Sequence, residues 1–428
     1  MKADMTLPGY VADVIRRLEE NGHSAYAVGG CVRDMLMGRV PHDYDVCTDA
    51  LPEQTKNAFP DRITIDTGIK HGTVTVISDG HPVEITTFRT ESGYSDGRHP
   101  DSVSFTASLE GDLSRRDFTV NAMAYSGKTG LIDISGGRDD LENRIIRCVG
   151  DPEKRFSEDH LRILRAIRFS AVLGYNIEER TSAAVMKLKD SLVTVSPERI
   201  AAELDKAVMG INFGKVLTEY PEVFAVFIPE LAPCIGYDQN NPHHIHDLLT
   251  HTAKAVDACP DDRIVRLAAL FHDLGKPSTV TVSTEMADAI MHRLRYGTAD
   301  IRAVTELVRY HDGVIDETEK AVKRRLAQLG EKQFFRLVDL KRADNAAQTA
   351  DPDFRYDYAE HLKAIAHDII SREDCLSLKN LSVNGSDLLA LGLSGRDIGT
   401  ALDSMLNAVI DGNVANKKSR LIEWYFGK

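Results

Sequence analysis

The segment Pro41-His42-Asp43-Tyr44-Asp45-Val46-Cys47-Thr48-Asp49 reads as a short β-strand with an aspartate on either side of one tyrosine. Side chains on a strand alternate between faces, so Asp43 and Asp45 leave the same face and repel each other. Neither has an opposite charge beside it in sequence, and a divalent cation between them is the simplest relief. Asp-x-Asp also occurs in surface turns and calcium loops, so its meaning comes from its surroundings. Just upstream, Tyr26-Ala27-Val28 reads as a strand, Gly29-Gly30 follows at once, and Val32 to Gly38 reads as a helical turn or two with a glycine stop. Strand, glycine pair and helix is an arrangement that cradles phosphate. Glycines admit an anion to the backbone, helix N-terminal N–H groups point at it, and Arg33 can add a two-pronged hydrogen bond. A triphosphate cradle beside a two-carboxylate platform is what nucleotidyl transfer needs, with two metals clamping the attacking oxygen and the departing pyrophosphate.

The rest of the N-terminal part reads as support for that platform. Residues 9–22 predict an amphipathic helix with Val11, Val14, Ile15 and Leu18 on its buried side, closed by Asn21-Gly22. Strands are expected over 63–65 and 74–77, then an Asp79-Gly80 turn and an antiparallel return over 83–88. Glu84 on the return strand supplies a third carboxylate if register sets it beside Asp43 and Asp45; a cross-strand partner for a basic side chain is the alternative. From Arg89 to Leu113 the pattern dissolves into a polar, glycine-containing loop, longer than a connector requires. In Arg115-Arg116-Asp117-Phe118-Thr119-Val120-Asn121, Arg116 suits phosphate while Asp117 and Asn121 fix local geometry, a helix cap being the plainer role for Asp117.

Beyond about Arg147 strand signals stop and the pattern is helical, so the fold class is α+β. At 428 residues the chain exceeds one ordinary core, and roughly two to four domains are expected. A helix is predicted from an N-cap at Ser157, with Glu158 and Asp159 in its first turn and Leu161, Leu164, Ile167 and Ala171 buried. Asp159 and Arg162, three apart, are neighbours on such a helix, and an ion pair is their simplest use. A sharper use exists. A carboxylate accepting from an exocyclic amine, beside a guanidinium donating to ring acceptors, matches the pairing edges of cytosine and adenine and repels guanine and uracil.

The net charge of −13, from 52 basic and 65 acidic residues, argues against indiscriminate nucleic-acid binding and leaves room for a local groove. Basic residues cluster at Lys323-Arg324-Arg325 with Lys341-Arg342, and at Lys417-Lys418-Ser419-Arg420, a solvated helix face being the simpler reading of each. Six cysteines without a Cys-x-x-Cys pair predict a reducing compartment, with neither disulfide frame nor structural zinc. No secretory signal opens the chain and no apolar run approaches a membrane span, so a cytoplasmic location without membrane partners is expected.

Gly29-Gly30-x-Val32-Arg33-Asp34, Asp43-x-Asp45, Arg115-Arg116-Asp117-Phe118-x-x-Asn121-Ala122, Glu158-Asp159-x-x-Arg162 and Glu198-Arg199-Ile200 occur in this order. With them the chain resembles, over essentially its whole length, the bacterial class II tRNA nucleotidyltransferases, the CCA-adding enzymes of the poly(A) polymerase family and polymerase-β-like superfamily. The resemblance implies a nucleotidyltransferase head with a mixed or antiparallel sheet over 1–147, then an all-α remainder. That remainder divides into a nucleobase-selecting neck over 148–210, a body over 211–350 and a tRNA-binding tail over 351–428. It further implies that Asp43 and Asp45 bind catalytic Mg2+ and that Gly30, Arg33 and Arg116 hold the nucleotide. Asp159 and Arg162 would read the base with Arg165 and Arg168 assisting, while Glu198 and Arg199 support their helix.

The implied partners are tRNA, CTP and ATP, and the implied activity is template-free addition of C, C and A to the tRNA 3′ end. Enzymes adding only CC or only A, and poly(A) polymerases, are the alternatives within the family. CC-only enzymes lack an intact loop where this chain has Glu91, Tyr94, Asp96 and Arg98, which favours full CCA addition. Lys417, Lys418 and Arg420 in the tail are expected near tRNA phosphate. Farther upstream, Phe271-His272-Asp273-Leu274-Gly275-Lys276, with His251 before it and Asp344 after it, resembles the HD metal-dependent phosphohydrolases. That implies a second divalent-metal site at His251, His272, Asp273 and Asp344. Where related domains carry another histidine this chain has Val280-Thr281-Val282-Ser283, so a mononuclear site or a metal-free scaffold is expected, with His292 and His311 unassigned. A hydrolase centred on His272-Asp273 is the reading from a different class, and the choice between monomer and homodimer stays open.

Overall fold

The computed structural model describes residues 5–93, 102–239, 245–278, 282–349 and 355–427, in two compact units, Met1–Pro229 and Glu230–Lys428. The class is α+β as expected, with the main sheet confined to the first unit. Seven strands form that sheet: β1 (Ala25–Val28), β2 (Asp45–Thr48), β3 (Thr64–Gly68), β4 (Thr73–Ser78), β5 (His81–Thr87), β8 (Met123–Ser126) and β9 (Gly130–Asp133), in the order β3-β4-β5-β2-β1-β8-β9. All neighbouring pairs are antiparallel except β2 and β5, so the sheet is mixed. Asp79 and Gly80 both take positive φ, 49° and 79°, which is the twist a two-residue turn between β4 and β5 requires. The helix Gly9–Glu20 buries Val11, Val14, Ile15 and Leu18 and packs against β1. Another apolar cluster is built on Val28, Cys47, Phe88, Leu113 and Ala124.

Two expectations are corrected here. The stretch after Arg89 does not dissolve: β6 (Arg89–Ser92) and β7 (Ser102–Phe105) pair antiparallel as a separate two-stranded ribbon, and Leu109–Ser114 is a short helix. Apolar alternation is invisible in this ribbon because the positions it half-buries on β6 are the charged pair Arg89 and Glu91. Tyr94, Asp96 and Arg98 lie outside the described residues. The helix predicted from Ser157 is in fact two. Pro152–Glu158 is capped by the Asp151 side chain, and after a break at Asp159-His160 the long helix Leu161–Leu173 begins. Leu161, Leu164, Ile167 and Ala171 are buried as expected. One further strand pair, Ile145–Ile146 beside Asn176–Ile177, is too short for periodicity to reveal.

The second unit is helical throughout its described residues. In its first basic cluster two of the charges are offset in place: Lys323 reaches Glu319 at 2.6 Å and Asp374 at 2.8 Å and Arg324 reaches Asp411 at 2.7 Å, while Arg325 lies over the Tyr310 ring. The C-terminal helices Arg396–Ile410 and Lys418–Phe426 close around Leu388, Ala401, Met405 and Leu421. All six cysteines are free and buried. Among the described residues no helix is long and apolar enough to cross a membrane.

The long helix Leu161–Leu173 is seated against Pro197–Val208, and Gly210 makes that approach possible, because a Cβ there would stand 2.5 Å from the Ala171 carbonyl. Gly210→Ala is expected to lower stability by about 2 kcal/mol or more, read as a lowered urea midpoint; an unchanged midpoint would show that the two backbones do not meet.

Candidate active site

The sheet brings the site together at one end. β1 and β2 are antiparallel with Val28 opposite Asp45, so the chain leaves β1 into Gly29-Gly30 just where Asp45 enters β2. β5 runs parallel to β2 with Glu84 opposite Asp45, so Glu84 is the third carboxylate of the row rather than a partner for a distant base. Asp43 precedes the strand, yet alternation holds: Asp43, Asp45 and Glu84 are exposed, while Tyr44 is buried. Partial desolvation, then the like charges of Asp43 and Glu84, push the Asp45 carboxyl up to about 6, against the pull of Arg116. Because Asp45 keeps an exposed flank, the like-charge part of that shift is what a cation would remove. Crowded carboxylate oxygens of this kind fit a hard divalent cation.

Gly29 opens the helix Gly30–Leu36 with φ 82° and ψ −131°, and a Cβ on it would come within 3.0 Å of Arg116 Nη1. Gly29 is therefore the glycine the geometry demands; a Cβ on Gly30 would make an ordinary 3.7 Å contact with Arg33 Nη2. Arg33 donates to Asn121 Oδ1 at 2.7 Å and to Asp34 Oδ1 at 2.8 Å. Arg116 donates to Asp112 Oδ2 at 3.3 Å, and its buried Nε has no hydrogen-bond partner, a donor left over for an acceptor from outside the chain. The fully buried Asp112 also accepts from Arg115 at 2.7 Å and from the Arg89 backbone N–H at 3.3 Å, tying the base of the β6–β7 ribbon to both arginines.

Arg116, Asp117, Asp159, Arg162, Arg165 and Arg199 line a single cavity of about 290 Å3. Gly30, Arg33, Asp43, Asp45 and Glu84 do not line it, so Arg116 is the residue common to the cavity and to the carboxylate row's electrostatics. The ion pair expected between Asp159 and Arg162 is not formed. Asp159 sits in the break between two helices, where its carboxylate accepts from Arg199 Nη2 at 3.0 and 3.2 Å and from the Leu161 N–H at 3.1 Å. Arg162 turns to Glu158 Oε2 at 2.8 Å and to the carbonyls of Arg155 and Arg115, each at 3.2 Å. The break removes the i, i+3 geometry on which the expected pair depended.

Asp117 caps no helix; its Oδ2 accepts from Arg165 Nε at 2.7 Å, and Oδ1 accepts from the Phe118 N–H at 2.8 Å. Arg168 donates to Glu203 Oε2 at 2.6 Å and does not line the cavity. Sequence reasoning missed Asp112, Glu158 and Glu203 as partners. Asp112 stands three and four residues before Arg115 and Arg116, and Glu158 four before Arg162, spacings that were available as signals. Glu203 lies 35 residues from Arg168 and left no local trace.

The second unit holds a separate cluster. One ligand atom from each of His251, His272, Asp273 and Asp344 lies within 4.8 Å of the others. His251 Nε2 is 3.0 Å from Asp344 Oδ1, and His272 Nε2 is 3.1 Å from Asp273 Oδ2. Their Nδ1 atoms face the carbonyls of Ala347 at 3.4 Å and Ala269 at 2.7 Å, which turns Nε2 inward as a metal would need. This imidazole and carboxylate set fits a transition metal. Unassigned from sequence, His311 joins the cluster: its Nδ1 lies 2.6 Å from the Val308 carbonyl, while its buried Nε2 is 3.5 Å from Asp273 Oδ1 without a hydrogen bond. The available signal was His311-Asp312 at a helix end, repeating His272-Asp273. His292 is exposed on the Val282–Arg293 helix. Of the segment where a further histidine was sought, Val280 and Thr281 lie outside the described residues, and Ser283 Oγ accepts from the Gly275 N–H at 2.9 Å.

Comparison with known proteins adds three domain matches: the family model for the Poly A polymerase head domain at residues 25–147, an RNA and SrmB binding region of polymerase A at 174–234, and tRNA nucleotidyltransferase domain 2 at 278–425. A CCA-adding enzyme of Lacticaseibacillus paracasei is 33% identical over 99% of this chain and 97% of its own length. One from Enterococcus faecalis is 32% identical over 96% and 94%. A higher identity, 52%, with the CCA-adding enzyme of Lactobacillus helveticus spans 46% of this chain and about half, 49%, of that protein. Among solved structures, the Bacillus stearothermophilus CCA-adding enzyme in complex with CTP superposes with a TM-score of 0.79 at 31% identity, covering 99% of this chain and 98% of that one.

The Asp117 to Arg165 pair has a pH signature. Burial raises the Asp117 carboxyl, but the Arg165 guanidinium, joined by the charge of Arg162 and the Phe118 N–H, holds the group below its ordinary value. A carboxylate depressed in the folded state stabilises fully above its unfolded pKa, and that stability is lost as pH falls through the folded one. The stability gap between parent and Asp117→Asn is thus expected to be widest at neutral pH and to shrink below about pH 4. Urea titrations across that range check it, and a gap that does not change with pH would remove the ionised pair.

Proposed function

The chain belongs to the family of the CCA-adding enzymes, and from that premise we propose that it is a tRNA nucleotidyltransferase adding C, C and A to tRNA 3′ ends from CTP and ATP without a template. The observation that carries the reading is Arg116: one guanidinium adjoins Gly29 and the charge of Asp45, and also lines the cavity of Asp159 and Arg162. A nucleotide spanning the two would set its phosphates at the carboxylate row and its base at the helix break.

Asp43 and Asp45 would hold Mg2+, with Glu84 keeping the row negative; when bound, the cation supplies charge stabilisation at phosphate oxygens and makes the attacking 3′ hydroxyl more acidic. Gly29 and Gly30 admit the phosphates to the backbone, and Arg33 and Arg116 offset their charge. Arg116 Nε is the donor with capacity to spare. Asp159 reads the exocyclic amine of C or A, and Arg162 donates to the ring acceptors. Of the five N–H donors of Arg162, three are spent on Glu158, Arg155 and Arg115, which leaves two for a base. Arg199 fixes the Asp159 carboxylate, and Arg165 and Arg168 assist. Residues 1–147 would act as the catalytic head, 148–210 as the base-selecting neck, 211–350 as the body and 351–428 as the tRNA-binding tail, in the cytoplasm.

A tRNA ending at its discriminator base, given CTP alone, ATP alone or both, tests the activity by product length. Two added residues with CTP and three with both are expected; arrest at two with both would mark a CC-adding enzyme, and a growing tail with ATP alone a poly(A) polymerase. Asp43→Ala and Asp45→Ala are each expected to lower transfer by about a thousandfold or more while tRNA binding is retained. Asp159→Ala should admit UTP, and a variant still choosing CTP over UTP as well as the parent would remove Asp159 as base reader.

A second reading concerns His251, His272, Asp273 and Asp344, which we propose hold one divalent transition metal apart from nucleotide transfer. Elemental analysis of dialysed protein should find about one equivalent in the parent and none in His272→Ala, with CCA addition unchanged. Equal metal content in both would leave the cluster a metal-free scaffold.

A further inference from the structure

Phe169, on the helix Leu161–Leu173, is buried, and the guanidinium carbons of Arg168, Arg33 and Arg165 stand 3.9, 5.5 and 5.5 Å from its ring centroid. An aromatic face attracts a cation, but several guanidinium groups about one ring repel one another unless each has a counter-group of its own. Each has one. Arg33 is tethered by Asn121 at 2.7 Å and Asp34 at 2.8 Å, Arg165 by Asp117 at 2.7 Å, and Arg168 by Glu203 at 2.6 Å. These tethers come from separate parts of the chain: the helix after Gly29, the Asp117–Asn121 stretch and the helix Pro197–Val208. Phe118, next to Asp117, meets the same ring edge-on at 5.6 Å and 76°.

Two-nitrogen contacts hold each guanidinium plane against its own partner, Asp34 for Arg33 and Asp117 for Arg165, whereas a single aromatic ring relates the two groups to each other. The Phe169 ring is one apolar surface common to Arg33, proposed above to face the phosphates, and to Arg165, which lines the base cavity. We propose that Phe169 is a positioning residue for the incoming nucleotide, its ring holding Arg33 and Arg165 in fixed relation so that triphosphate placement and base reading are set together. This inference rests on the phosphate role of Arg33 given under the proposed function. Phe169 does not line the cavity; it acts through the arginines.

Phe169→Leu keeps an apolar side chain while removing the ring, and Phe169→Tyr keeps the ring. Steady-state kinetics of Phe169→Leu should show KM for CTP and ATP raised about tenfold, KM for tRNA unchanged, and more UMP misincorporation. Phe169→Tyr should restore parental values. Arg33→Gln should itself raise the nucleotide KM, and the double variant should lose clearly less than the product of the two single losses, because part of the ring's effect runs through Arg33 and the rest through Arg165. Should Phe169→Leu unfold at the assay temperature, Phe169→Met replaces it. A folded variant with parental nucleotide KM, equal rises in KM for tRNA and nucleotide, or additive losses in the double variant would each overturn the positioning role. If Arg33→Gln leaves the nucleotide KM unchanged, the phosphate role of Arg33 falls instead.

Discussion

Mutual repulsion among Asp43, Asp45 and Glu84 is the constraint around which the first unit is arranged. Desolvation, and then the like charges of Asp43 and Glu84 at the same end of the sheet, raise the Asp45 carboxyl to about 6. The fold tolerates it because the row stays at the surface, where water carries part of the charge, and because Arg116 stands close enough to pull the other way. A chain selected for stability alone would pair or remove such groups. Retaining them is intelligible if a cation completes the site.

Around that row, arginines dominate, and nearly all are committed in advance. Arg33, Arg115, Arg162, Arg165, Arg168 and Arg199 each have a carboxylate or amide partner within the first unit, so their positions precede any ligand. Preorganised guanidinium groups lose little freedom when an anion arrives, which lowers the cost of binding. An acidic chain can thus present a locally basic hollow, since Arg115, Arg116, Arg162, Arg165 and Arg199 line the cavity against Asp117 and Asp159. In the basic run of the second unit that stands out in sequence, Lys323 and Arg324 are likewise offset by neighbouring acids, while Arg325 lies over the Tyr310 ring.

The second unit poses a different balance. His251, His272 and His311 crowd buried carboxylates, with backbone carbonyls orienting their Nδ1 atoms. Lys276 Nζ stands 2.6 Å from Asp273 Oδ2, so part of the acidic charge already has an internal cation. That competition bears directly on whether one metal, or none, is held.

What could be read in advance was whatever depends on neighbours in the chain. The alternation of Asp43, Tyr44 and Asp45, the apolar face of Gly9–Glu20, the Asp79-Gly80 turn and the strand–glycine–helix unit at Gly29 follow from local periodicity and from φ preferences, and each has its counterpart in three dimensions. Pairing between distant segments was not open to that kind of reading. Glu84 joined the row through a parallel register, Asp159 took Arg199 instead of Arg162, Arg168 found Glu203, and His311 entered the histidine cluster. Short side-chain contacts depend on where a helix stops and which residue a strand faces, and a shift of one position in either redirects every partner. Residue types therefore announced the chemistry, while packing between remote segments selected which atoms meet.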